Sequence, residues 1–221
     1  KGCFIMKKFK KILSAVSAGV LCALPMINGV AANAVRPGQY DTYMVFCDVE
    51  ANSGVQYCNM TVVHNGEDQA QAMHGNLGNG DINTYITKRV DGKISYATMY
   101  EANGALAAKG TVFKVKVVTE PKEPGEEIPI EVNDPSAFDV NHVFLGKGVA
   151  TPDIVMIGDV DGDDIVNIND AILIEQHLAN STKYPLDKKA FRAADVNYDG
   201  VVNDEDALLI QYYEAGSISN F

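Results

Sequence analysis

One acidic pattern of twelve residues occurs twice in the chain, 36 positions apart. The segments DVDGDDIVNIND (159–170) and DVNYDGVVNDED (195–206) carry oxygen-bearing side chains at relative positions 1, 3, 5, 9 and 12. A hard, oxygen-seeking cation needs such alternate acceptors around it, with a last carboxylate delivered by the first turn of a helix. A solvated acidic turn needs neither this spacing nor its repetition. The repeat therefore predicts two calcium-binding loops.

The relative positions assign ligands to each loop. Side-chain oxygens come from positions 1, 3, 5 and 12, and a backbone carbonyl comes from position 7. The predicted calcium ligands are Asp159, Asp161, Asp163, Ile165 and Asp170 in the first loop and Asp195, Asn197, Asp199, Val201 and Asp206 in the second. Position 6 makes a sharp turn that favours glycine. The second loop has Gly200 there, but the first has Asp164, so we expect a weaker first site.

Each loop runs into a short helix. The segments DAILIEQHL and DALLIQYYE share one apolar skeleton, so the unit is half an EF-hand written twice. This duplication resembles a dockerin, a calcium module that attaches proteins to cohesins, and the resemblance covers about 154–221. It implies a cohesin partner, bound through loop positions 10 and 11 and through later helix positions. The predicted partner-binding residues are Ile168, Asn169, Glu175, Gln176, Asp204, Glu205, Gln211 and Tyr212.

Residues 35–146 have the pattern of strands. Short runs rich in Val, Ile, Thr, Tyr and Phe are separated by clusters of Gly, Asn, Asp and Pro. In TVFKVKVV, the apolar Phe113, Val115 and Val117 alternate with Lys114 and Lys116, which predicts a strand with one face toward water. No run in this region predicts a helix of useful length. The expected fold is an all-β jelly-roll or β-sandwich followed by a small all-α module.

The order of these runs is similar to that of a known module. GVQYCNMTVV, VDGKISYATMY, EANGALAAKG, TVFKVKVV and PKEPGEEIPIEV follow one another over about 50–132, as in the cohesins of cellulosomal scaffolds. There is little room for a first cohesin strand, and the stretch after Val132 is short for the last ones. The resemblance implies an adaptor that docks through 154–221 and presents 35–146 to another dockerin. The alternatives are a carbohydrate-binding module that tethers the complex to plant polysaccharide, and a spacer without a ligand.

Charge and size exclude other classes of function. Residues 153–221 carry 14 Asp and Glu against 4 Lys and Arg, which repels nucleic acid and anionic membranes. A glycosidase needs two carboxylates facing each other across a cleft, and Glu101, Asp81 or Glu67 offer themselves. A sandwich of 112 residues is small for that task, and no spacing singles out such a pair. We therefore expect no enzymatic activity.

The remaining expectations concern the signal peptide, the linker and the two cysteines. Residues 1–34, with Met6 as the initiator, read as a signal peptide: a basic head, an apolar middle and an A-x-A exit. Secretion is therefore expected. Residues 147–153 are expected to form a linker.

Cys47 and Cys58 lie opposite one another if their strands form a hairpin, and they could then form a disulfide after export. The alternative is two buried unpaired thiols.

Overall fold

The computed structural model describes residues 38–50, 54–66, 68–77, 80–106 and 109–221. The predicted signal peptide lies outside these residues. The described part contains eight strands followed by three helices. They are β1 (Asp41–Val49), β2 (Tyr57–Asn65), β3 (Gln69–His74), β4 (Asp81–Lys88), β5 (Lys93–Glu101), β6 (Gly110–Thr119), β7 (Glu131–Phe138), β8 (Ala150–Met156), α1 (Ile168–Ala179), α2 (Lys188–Ala194) and α3 (Asp204–Glu214).

The strands form two antiparallel sheets that face each other. One has the order β3-β6-β1-β8 and the other the order β4-β5-β2-β7. Alternation places one side of each strand in the core between the sheets, so Val115 and Val117 of β6 are fully buried there. The prediction of an all-β sandwich followed by a small helical module is therefore confirmed.

The two cysteines lie in different sheets. Strand β1 pairs with β6 and β8, whereas β2 pairs with β5 and β7, so the two cysteine strands do not form the hairpin that would have placed the thiols opposite one another. Cys47 and Cys58 are nevertheless both buried, and both are free thiols. A hydrogen bond between them, together with burial, raises the pKa of the Cys47 thiol well above its usual value. The thiols therefore meet across the core of the sandwich.

The predicted linker at 147–153 is wrong in its second half. Residues Ala150–Met156 form β8, which pairs with β1 from Ala150 opposite Val49 to Met156 opposite Tyr43. Pro152 has no amide hydrogen to donate, and β8 tolerates it because this strand is at the edge of its sheet. The chain therefore passes from the sandwich into the first acidic loop within a few residues.

The helical module covers the outer face of the sheet that contains β1. All nine residues of β1 are buried, although only one of its faces points into the sandwich core. The other face meets the module: the guanidinium of Arg192 lies 4.0 Å from the Phe46 ring, and the amide of Phe221 donates to Thr42 Oγ1 over 3.3 Å. Lys114 and Lys116, predicted to face water, are half-buried beside Tyr198 of the module.

One hydrophobic core therefore runs through both parts of the chain. It extends without interruption from Tyr43 in β1 to Ile210 and Tyr213 in α3. The two modules predicted from the sequence therefore share their core, because the edge strand β8 leads directly into the loop that packs on its own sheet. No helix in the described ranges has both the length and the apolar character needed to cross a membrane.

Candidate metal sites and docking face

The two acidic loops fold alike because their side chains cap their own backbone. In the first loop, Asp159 Oδ1 accepts from the amides of Gly162 at 2.9 Å and Asp163 at 3.1 Å. In the second, Asn197 Oδ1 accepts from the amide of Asp199 at 3.0 Å. Asp199 Oδ1 accepts in turn from the amide of Val201 at 2.7 Å. Alternate residues therefore turn their oxygens toward the inside of each loop.

The carboxylate at position 12 ties each loop to the helix that follows. Asp170 is fully buried, and its Oδ1 accepts from the amides of Val160 at 2.7 Å and Asp161 at 3.1 Å. Its Oδ2 accepts from the amide of Asn167 at 2.8 Å and closes a capping box at the start of α1. Asp206 makes the equivalent contacts at the start of α3.

The first loop gathers the carboxylates that a divalent cation requires. Ligand oxygens of Asp159, Asp161 and Asp170 all lie within 4.8 Å of one another. Burial raises the pKa of Asp159 to about 6, and the neighbouring carboxylates of Asp161 and Asp163 add to this. Burial also raises the pKa of Asp170 to about 7. A bound Ca²⁺ would stabilise the ionised carboxylates, so this donor set fits calcium.

The second loop offers a ligand oxygen that has no other partner. Asp195 Oδ1 is buried without a hydrogen bond. Burial raises the pKa of Asp195, whereas the ammonium group of Lys114 acts against that rise. Position 3 is Asn197 here and Asp161 in the first loop, so the second loop has one carboxylate fewer at its ligand positions. Neutral amide oxygens also bind calcium, so the second set of ligands also fits the ion, although its negative charge is smaller than that of the first set.

The asparagines at position 9 serve a structural purpose. Asn167 and Asn203 are the N-caps of α1 and α3, and their side-chain oxygens accept from the amides of Asn169 and Glu205 at 2.7 Å in both cases. Each Nδ2 lies 3.5 Å from the position-7 carbonyl oxygen of its own loop, that of Ile165 or Val201. The cap therefore fixes the helix start and lies beside the predicted carbonyl ligand.

Each loop contains a left-handed non-glycine residue whose side chain meets the sandwich. Asp164 at position 6 has φ 68°, and its Oδ2 lies 3.2 Å from Lys122 Nζ and accepts from the amide of Gly125 at 3.1 Å. Tyr198 at position 4 of the second loop has φ 67°, where the first loop has Gly162. Such conformations cost a non-glycine residue about 1–2 kcal/mol, and contacts with the sandwich offset that cost.

The predicted partner-binding residues lie on a face that the sandwich leaves open. Seven of the eight are exposed and Gln176 is partly buried. The structure adds Ile172 and Leu208, which are 45% and 43% exposed and come from α1 and α3. They occupy equivalent positions 36 residues apart, so the repeat spacing could have identified them. We refer to the exposed surface formed by these two residues, Ile168 and Tyr212 as the helical face.

The carboxylates considered for catalysis do not form a cleft. Asp81 and Glu101 lie opposite each other on β4 and β5, and both are exposed on the surface. Glu67 lies outside the described residues. A hydrolytic pair needs its two carboxyl groups on either side of a bound sugar, which two neighbours on one flat sheet do not provide.

The duplicated loop and helix define a calcium module of the dockerin class, and comparison with known proteins agrees. Residues 157–213 match the family model described as dockerin type I domain, which confirms the prediction of a dockerin at this end of the chain. No curated protein matches the chain. Among solved structures, a non-cellulosomal cohesin from the hyperthermophilic archaeon Archaeoglobus fulgidus is similar at 14% identity, with a TM-score of 0.36, over 49% of this chain and 75% of that one.

Proposed function

We propose that the chain is a secreted, non-catalytic adaptor of a cellulosome-type complex. Its residues 154–221 dock onto a cohesin of a scaffold in a calcium-dependent manner, and its sandwich receives the dockerin of another subunit. The observation that carries the proposal is the arrangement of the module on the sandwich. Arg192, Tyr198 and Phe221 face the sandwich, while the helical face points away from it.

The helical face has the composition of a protein interface. Four apolar side chains between 42% and 45% exposed alternate along α1 and α3 with polar and acidic ones such as Asn169 and Glu205. A mixed surface with a few large apolar groups is typical of a docking site whose centre becomes dry on binding. Calcium in the two loops would hold α1 and α3 in the relative position that this surface needs.

The second proposed interface is the outer face of the sheet β4-β5-β2-β7. A depression of about 440 Å³ lies on it and includes Asn59, Asn83, Tyr85, Met99 and Glu101 in its lining. Tyr85 and Met99 are 60% and 48% exposed. Apolar, amide and acidic groups are mixed on this face, which favours a protein partner over a polysaccharide. The helical module lies against the other sheet, so both proposed interfaces are accessible in one molecule.

One observation favours the carbohydrate-binding alternative. Tyr57 and His142 stack with ring centroids 4.4 Å apart at the rim of the same depression. Stacked rings beside an exposed tyrosine offer an aromatic surface on which a sugar ring could lie. The chain contains no tryptophan, which is a large and effective stacking side chain. This alternative therefore rests on a small aromatic surface.

Binding experiments with the full chain separate these functions. Leu208→Asp should abolish calcium-dependent binding to a scaffold cohesin, since it places a charge in the centre of the helical face. Tyr85→Asp should leave that binding intact and abolish capture of a dockerin-bearing protein. Val90→Asp is the control, because Val90 is fully exposed in the β4–β5 turn. Retention on cellulose or xylan that Tyr85→Asp removes, without capture of any dockerin tested, would replace the adaptor by the carbohydrate-binding function.

A further inference from the structure

The second calcium loop lies against a cation of the sandwich. Lys114 projects from the outer face of β6, and it lines a cavity of about 300 Å³ together with Asp195, Tyr198 and Asp199 of the loop. The Lys114 ammonium lies 5.4 Å from the centre of the Tyr198 ring. Asp195 is the first predicted ligand of this loop, and its Oδ1 is buried without a hydrogen bond. A sandwich lysine and a calcium ligand therefore share one partly enclosed space.

The other cation in this cavity is engaged elsewhere. Arg192 also lines it, but its guanidinium donates to both carboxylate oxygens of Asp48 and to Asp153. Lys116 lies 5.1 Å from the centre of the same Tyr198 ring, but it donates to the carbonyl oxygen of Phe221. Lys114 is thus the cation of the cavity whose charge is directed at the loop.

The first loop has a different contact with the sandwich. Its sandwich contact is the ion pair of Lys122 with Asp164, and Asp164 occupies position 6, which supplies no side-chain ligand. Lys122 neutralises an additional carboxylate there and leaves the ligands Asp159, Asp161 and Asp170 to the ion. The sandwich therefore places a lysine beside a predicted calcium ligand in the second loop, but beside a carboxylate that is not a ligand in the first.

We propose that Lys114 of the sandwich tunes the second calcium site. When the site is empty, the charge of Lys114 compensates the partly buried carboxylate of Asp195 and stabilises the seating of the module on β6. When the site is filled, the same charge lies beside a divalent cation and opposes it. The second site is then the weaker of the two, contrary to the expectation drawn from Asp164 in the first loop, because it also has one ligand carboxylate fewer. The inference rests on calcium binding by this loop and is independent of which protein docks on the helical face.

The sign of two effects distinguishes this tuning from a structural role. Removing the charge should make the calcium-free chain less stable and make calcium binding tighter. A lysine that only packs against the module would, when replaced, weaken both. Lys114→Met keeps most of the side-chain volume and removes the charge, and Lys114→Arg keeps the charge. Lys88→Met is the matched control, since Lys88 is exposed on β4 in the other sheet.

The test is calcium titration calorimetry of the full chain together with thermal unfolding in chelator. For Lys114→Met we expect the affinity of one of the two sites to rise by about fivefold to tenfold, with a lower midpoint in chelator. Lys114→Arg and Lys88→Met should behave as the unsubstituted chain. Two sites with unchanged affinities in Lys114→Met, or a loss of affinity and stability together, would overturn the inference. Binding of fewer than two ions by the unsubstituted chain would overturn calcium binding by the second loop itself, and the inference with it.

Discussion

Replacing Arg192 by alanine should destabilise the whole chain, because this residue joins the helical module to the sandwich. Its guanidinium donates to both oxygens of Asp48, at 2.7 and 2.9 Å, and to Asp153 at 2.5 Å. The side chains of Arg192 and Asp48 are only 13% and 9% exposed. The substitution therefore leaves a buried carboxylate with fewer partners.

The expected loss follows from these contacts. Removing one partner of a buried ion pair costs about 3–5 kcal/mol. Lys188 and the hydroxyl of Thr111 still contact Asp48, at 2.6 and 2.7 Å, and reduce this cost. We expect a loss of about 2–4 kcal/mol in the free energy of unfolding. For a folded part of this size, that corresponds to a decrease of about 5–15 °C in Tm.

The assay is thermal and urea unfolding of the full chain, monitored by circular dichroism in the far ultraviolet. Arg89→Ala is the control: its ion pair with Asp91 spans 3.8 Å between side chains that are 44% and 51% exposed. Such a pair contributes about 0–0.5 kcal/mol. Equal losses for Arg192→Ala and Arg89→Ala would refute the reasoning. So would two separate transitions in the unsubstituted chain, because a shared core should unfold cooperatively.

Three further outcomes are expected. Burial would raise the pKa of Asp48, but its cationic and hydroxyl partners hold that pKa below the usual value. The stability that this carboxylate contributes is thus complete above about pH 4 and is lost as the pH falls below that value. The free energy of unfolding, measured in urea at a series of pH values, checks this. Calcium at about a hundred times Kd should stabilise the chain by about 2.7 kcal/mol per site, reversibly with chelator. Substituting Ile168 and Asn169 should change cohesin affinity very differently from substituting Asp204 and Glu205; equal, mild losses in calorimetry would show interchangeable halves.

The calcium loops and most strands could be predicted because their patterns are local. The spacing of the loop oxygens is dictated by the ion, and the alternation of Phe113, Lys114 and Val115 is dictated by the pleat of a strand. The left-handed turn at position 6 was also expected from its place in the loop, and the structure has Asp164 and Gly200 there in that conformation.

Three elements escaped prediction because they depend on neighbours distant in sequence. Strand β3 (QAQAMH) and strand β8 (ATPDIVM) are the edges of one sheet, where polar residues and Pro152 are tolerated and little hydrophobic pattern remains. Helix α2 has seven residues, too few for a clear periodicity, although Asp187 caps it by accepting from the amide of Ala190 at 2.8 Å. Each of these elements is stabilised by a packed partner more than by its own pattern.

The same argument explains why the lysines of β6 were predicted to face water. Alternating lysines on β6 are the pattern of a strand facing water, and a strand facing an acidic module has the same pattern. The module carries 14 acidic residues against 4 basic ones in 153–221, so a lysine of the sandwich can face the module as well as it can face water. Lys114 and Lys116 of β6 face Tyr198 of the module, and Lys122 pairs with Asp164. The charged part of this interface therefore looks like an exposed surface in the sequence, although Met44 and Phe46 of β1 belong to the hydrophobic core that the sandwich and the module share.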